Sequence, residues 1–114
     1  IMHHPQFRAS VTCVRVPVAR GHSIALWAEV ERPLSQEALT AAYKDSRAVI
    51  LREPYPTPLD AAGKEGIFMG RLRAHPDDAP SVSLWACGDN LLKGAASNVV
   101  GIAEIVRRNI PHAL

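Results

Sequence analysis

Hydrophobic residues fall in two rhythms along this chain. In residues 11–18, Thr12, Val14, Val16 and Val18 alternate with Val11, Cys13 and Arg15. In residues 24–30, Ile24, Leu26, Ala28 and Val30 alternate with Ala25, Trp27 and Glu29. This period of two, with β-branched residues, predicts two strands. The short link Ala19-Arg20-Gly21-His22 between them predicts an antiparallel hairpin. Two more strands are expected over residues 67–72 and 82–87, separated by the turn-rich His75-Pro76-Asp77-Asp78-Ala79-Pro80. The continuous apolar run at residues 48–51 reads as a buried strand reached by a crossover.

The second rhythm repeats every three or four residues. Pro33 and Ser35 open a helix, with Ser35 as its cap, Gln36 and Glu37 in the first turn, and Leu39, Ala42 and Tyr43 as its stripe. A longer amphipathic helix starts near Asp89, a good N-cap. It runs through Leu92, Ala96, Val99, Ala103, Val106 and Ile110 until Pro111 stops it. Between the two lies Pro54-Tyr55-Pro56-Thr57-Pro58, whose prolines exclude a helix or a central strand, so a stiff loop is expected. The order ββαβββα predicts an α+β fold: a mostly antiparallel or mixed sheet with helices on one face.

Composition narrows the classes. The chain has 114 residues, 47% of them hydrophobic and 21% charged, which fits one globular domain. Thirteen basic and eleven acidic residues leave a formal net charge of +2. The basic residues are scattered, the densest pairs being Arg71 with Arg73 and Arg107 with Arg108, so a nucleic-acid partner is not expected. No apolar run approaches the ~18–20 residues of a membrane span, so no membrane is expected either. The two cysteines, Cys13 and Cys87, sit in strand-like runs outside any CxxC pair. Neither a disulfide framework nor a zinc site is indicated, and reduced thiols point to the cytoplasm. The start Ile-Met-His-His lacks signal-peptide architecture and reads as the interior of a longer chain.

Three features stand out chemically. Arg15 interrupts a run of valines. Its planar fork suits a carboxylate, and an exposed sheet face or a structural ion pair would also account for it. His22 follows Gly21 seven residues on, where it can serve as a general base near neutral pH or simply sit at the surface. The segment Gly88-Asp89-Asn90-Leu91-Leu92-Lys93-Gly94-Ala95-Ala96 combines a helix start, a cation and small residues. That pattern suits an anion or a close neighbouring backbone.

These strings together resemble the aspartate-semialdehyde dehydrogenases. The resemblance rests on Val11-Thr12-Cys13-Val14-Arg15-Val16-Pro17-Val18 with Arg20-Gly21-His22-Ser23, on Glu31-Arg32-Pro33-Leu34-Ser35, and on Tyr55-Pro56-Thr57-Pro58-Leu59-Asp60-Ala61-Ala62. It continues through Gly70-Arg71-Leu72-Arg73 and residues 88–98, spanning about residue 7 to residue 107 in the same order. It implies part of a glyceraldehyde-3-phosphate-dehydrogenase-like C-terminal domain. It also implies NADPH-dependent reductive dephosphorylation of aspartyl 4-phosphate to aspartate semialdehyde and phosphate, in lysine, threonine, methionine and diaminopimelate biosynthesis. By position, Arg15 would grip the substrate's α-carboxylate and His22 would be the acid/base partner of a cysteine. Asn90 would lie near the nicotinamide, with Lys93 and Gly94 beside the cofactor. Residues 1–88 would be the second half of the catalytic and dimerisation domain, working as a homodimer. Residues 89–114 would be a closing helix on a nucleotide-binding domain.

The family's GxxGxxG loop and its Asn-Cys-Ser/Thr-like cysteine motif have no match here, and Gly101 falls where relatives often carry Gln. The expectation is therefore a portion of the enzyme without turnover of its own. The alternatives are a free-standing dimerisation or binding module, or a portion of a related N-acetyl-γ-glutamyl-phosphate reductase.

Overall fold

The computed structural model describes residues 3, 6, 8–77 and 79–110. The alternation around Trp27 does form a strand, β1 (His22–Glu29), but its partner is not residues 11–18. That segment makes no ladder, and Val11 is 79% exposed. The expected first strand and its hairpin are therefore corrected. β-branched residues mark a segment that fits a pleated, half-buried surface, and no such surface is offered to residues 11–18 by the rest of the described chain.

Helix α1 (Gln36–Lys44) follows as expected, with Ser35 Oγ accepting the Ala38 N–H at 3.1 Å. Then come β2 (Val49–Leu51), a short helix α2 (Pro58–Ala61), β3 (Ile67–His75) and β4 (Ser81–Gly88). The sheet order is β1-β4-β3-β2. β4 runs antiparallel to both neighbours, whereas β2 and β3 are parallel. β1 and β2 thus point the same way, and α1 is the crossover that parallel strands require. β2 is an edge strand rather than a buried one: Ile50 and Leu51 are exposed. Pro58 also departs from expectation by opening α2, where its missing N–H is an orphan donor in any case.

β3 outruns β2, which pairs only with Ile67, Phe68 and Met69. Gln36 fills the gap. Its amide donates to Leu72 O at 2.8 Å and its Oε1 accepts the Ala74 N–H at 2.9 Å, completing the ladder with a side chain.

The core is small. Ala61 of α2, Phe68 of β3 and Cys87 of β4 form its centre, with Trp85 against them. The proline loop closes over it: buried Pro56 accepts the Trp85 Nε1–H at 2.8 Å and the Cys87 thiol at 3.4 Å. Met69, on the opposite face from Phe68, and Leu39 of α1 are also buried.

The last helix is broken in two. Gly94 N donates to Asp89 O and Ala96 N to Leu91 O, an i−5 pattern that makes a π-turn over Leu92–Ala96 before α3 (Ser97–Asn109). α3 packs chiefly on that turn. Val99, Val106 and Ile110 of the expected stripe are exposed, and so are Val100, Ile102 and Ile105 on the helix's other faces. A Cβ built at Gly101 meets nothing within 4 Å. Gly101→Ala is accordingly expected to favour the helix by about 0.5–1 kcal/mol, read as a stronger helical circular-dichroism signal. An unchanged spectrum would contradict that account.

Candidate functional site

The first and last strands of the sheet bring two distant strings together. In the β1–β4 ladder His22 faces Gly88. The residues just before His22 therefore meet the residues just after Gly88. Gly21 N–H donates to Asn90 Oδ1 at 3.0 Å across 69 positions of sequence. Arg20 Nε stands 2.7 Å from Asp89 Oδ2. Its N–H is aimed aside, so the contact is a close ion pair rather than an aligned hydrogen bond. Gly21 makes the turn possible, since its φ of +107° lies where side chains are strained. A Cβ there would only touch Gly88 O at 3.4 Å and Pro58 Cβ at 3.5 Å, so the backbone angle, not space, is what calls for glycine.

Asp89 is the hub of this corner, and it is fully buried. Its Oδ1 accepts the N–H groups of Leu91 at 2.9 Å and Leu92 at 3.0 Å. Its Oδ2 accepts the Gly63 N–H at 2.7 Å and faces Arg20. Burial works to raise the carboxyl pKa. The Gly63 and Leu92 amides, the Arg20 guanidinium and the Leu91 amide outweigh it and hold the group at about 2.

The sign for stability follows. The folded carboxyl holds its proton more weakly than the unfolded one, so its stabilisation is present above about pH 4. That stabilisation is lost as pH falls toward 2. Asp60 acts in the same direction, its carboxylate taking the O–H and N–H of Thr57 and lying beside Arg52. Denaturant midpoints measured from pH 6 to pH 2 should fall, and Asp89→Asn should flatten that fall. Parallel slopes for the two proteins would refute the assignment.

Four of the expected site positions fall on the two joined strings: His22 is exposed at the head of β1, Asn90 is tied to Gly21, and Lys93 and Gly94 follow Leu92 in the π-turn. Arg15 is not brought in. It lies in the unpaired, exposed segment before Arg20. Cys87 is 1% exposed and its thiol is engaged with Pro56 O and Ser23 Oγ, whereas Cys13 is exposed rather than buried in a strand. Arg20, Gly21 and the second role of Asp89 escaped the sequence reading. Their only signal is a cation before one strand and an anion after another, which means nothing until the pairing is known.

A second concavity lies elsewhere, toward the far end of β1. It is an open depression of about 340 Å³ between Trp27 and Trp85, edged by Arg71 and Arg73. Among the described residues no three His, Cys, Asp or Glu side chains gather to hold a metal ion, and no helix is long and apolar enough to cross a membrane.

The model of the semialdehyde dehydrogenase dimerisation domain matches residues 1–93. The chain belongs to that family. The aspartate-semialdehyde dehydrogenase of Bacillus subtilis (strain 168) is 40% identical over 114 residues, covering 95% of this chain and 33% of that protein. That of Streptomyces akiyoshiensis is 44% identical over 106 residues, covering 93% and 31%. Among solved structures, the Vibrio cholerae aspartate semialdehyde dehydrogenase II complexed with ASA superposes with a TM-score of 0.77. It shares 36% identity over 87% of this chain and 30% of that one. A probable aspartate-semialdehyde dehydrogenase from Pseudomonas aeruginosa gives 0.71 and 33%, over 86% and 29%. This dimerisation-domain chain thus spans about a third of the length of its curated relatives, matching their C-terminal part. The α+β fold with a mixed sheet is shared with the matched part of these dehydrogenases.

Proposed function

We propose that this chain is the C-terminal part of an NADPH-dependent aspartate-semialdehyde dehydrogenase that works as a cytoplasmic homodimer. One observation carries the reading: the strand head bearing His22 and the turn bearing Asn90, Lys93 and Gly94 are fastened to each other at one corner of the sheet.

In this reading His22 holds and releases a proton at an imidazole nitrogen beside a cysteine nucleophile. Arg15 grips the α-carboxylate of aspartyl 4-phosphate or aspartate semialdehyde with its paired donors. For that, residues 11–18 must be held toward this corner by a surface other than β1. Neither cysteine of the chain suits the nucleophile's role, Cys87 being sealed in the core. The chain is therefore inactive by itself.

The donor set here fits the nicotinamide end of a dinucleotide. The Asn90 oxygen is spent on Gly21, which leaves its NH₂ to donate. Lys93 supplies a cation, and Gly94, which has no side chain, lets a ring approach the backbone. When bound, that cofactor supplies the hydride. Residues 1–88 act as the second half of the catalytic and dimerisation domain, and the uncovered apolar side chains of α3 pack on a nucleotide-binding domain.

The test is the mass of the native gene product in its source cells, followed by assay of that product. A species several-fold heavier than 12.4 kDa that oxidises aspartate semialdehyde in the presence of phosphate and NADP is expected. A native product of 12.4 kDa, or a heavier one without this turnover, would overturn the proposal.

A further inference from the structure

We propose that Asp89 is a positioning residue whose buried carboxylate fastens the Arg20-Gly21-His22 turn to the Asn90-Lys93-Gly94 turn, so that the acid/base histidine and the start of the last helix are held as one piece. The proposal rests on the reading of His22 given above, but its structural half stands by itself.

A helix cap does not explain this side chain. Capping needs one acceptor, and Ser, Asn and Asp serve almost equally. Here Oδ1 alone takes both first-turn amides, Leu91 and Leu92. Oδ2 is left over, and in the buried corner it accepts the Gly63 N–H and lies against the Arg20 guanidinium, each at 2.7 Å. An asparagine would either turn its NH₂ on Gly63 or lose the amides on the other side. Only a carboxylate offers an acceptor oxygen on both sides to the three amides and a charge to Arg20.

The partners come from three separate segments: the approach to β1, the end of α2 and the last helix. The neighbouring side chain repeats the arrangement, with Asn90 taking the Gly21 amide. Residues 89 and 90 thus grip residues 20 and 21, immediately before His22. Upstream, among the described residues, the only backbone hydrogen bond is the local Val18 N–H to Val16 O. The same grip sets the point from which the segment carrying Arg15 departs.

Amide hydrogen exchange and histidine-ring NMR on the native gene product test the proposal. Arg20→Gln removes the guanidinium while leaving the caps and Gly63 untouched, and Arg20 is 38% exposed, so the variant should fold. Loss of the grip should raise Gly21 amide exchange about tenfold, the worth of one modest interaction, and shift the His22 ring signals. Ala86, in the middle of β4, serves as the reference and should not change. Arg20→Lys, which keeps the charge, should restore most of the protection. The proposal is overturned if Gly21 and His22 are unmoved in Arg20→Gln. It is equally overturned if Ala86 loosens in parallel, or if Arg20→Lys rescues nothing. In the native gene product, Arg20→Gln should lower kcat/KM, and Arg20→Lys should restore most of it. A product with no dehydrogenase turnover would defeat the functional reading and leave these NMR results standing.

Discussion

Gly70→Ala is expected to destabilise the protein by about 1–3 kcal/mol, although it adds a single methyl group. Gly70 is buried in β3, opposite Trp85. A Cβ there would stand 2.5 Å from Arg52 O, 2.8 Å from Pro56 Cδ and 3.0 Å from Tyr55 Cα. Two of these are main-chain atoms, and the third belongs to a proline ring. None can swing away as the tip of a long side chain does. Arg52 is held by its N–H to Met69 O at 2.8 Å and by its ion pair with Asp60. Pro56 cannot lift without breaking its carbonyl's bonds to Trp85 and Cys87 and uncovering the core. Alanine also stiffens the unfolded chain, which favours folding by about 0.4–1 kcal/mol, less than the clash costs. Urea and thermal melts decide it. A midpoint lowered by several degrees is expected, and an unchanged one would mean that the proline loop yields.

His22→Asn is expected to lower the turnover of the native gene product by about 10²–10⁴-fold, the usual loss when a general acid/base group is removed. The stability should stay within about 0.5 kcal/mol of the parent's, because His22 is exposed. That pairing of outcomes matters. A collapse of stability together with activity would make His22 a structural residue at the strand head. Retained activity would remove it from the mechanism. Only lost turnover in a protein that still melts normally agrees with the proposed role.

The sequence displayed its sheet well where alternation and a partner coincide. The Ile24, Leu26 and Ala28 rhythm and the 82–87 run became neighbours in one ladder. Ser35 was legible because capping is local chemistry between residues three apart. Residues 11–18 carry an equally good strand rhythm and form none, since a ladder needs a second chain segment that no local pattern names. β2 looked buried from its apolar run, yet its place at the sheet edge leaves Ile50 and Leu51 open. The candidate corner was half legible. His22 and Asn90 could be picked out by type, but their juxtaposition depends on register between strands about 60 positions apart. Asp89 looked like a plain helix cap because its longer-range partners, Arg20 and Gly63, carry no sequence mark.

The sheet order places β1 at a rim, with one side of its backbone unpaired along eight residues. Proteins usually blunt such rims with lysine, proline or a bulge. The strand His-Ser-Ile-Ala-Leu-Trp-Ala-Glu has none of these, and its only acidic guard is Glu29 at the very end. Ile24, Leu26 and Trp27 are all exposed alongside it. In concentrated solution this rim is a template on which further strands can be laid. This rim therefore adds an association route to the uncovered apolar side chains of α3, one that does not depend on thermal stability. A charge introduced at Ala25 or Leu26 is the direct way to keep it dispersed.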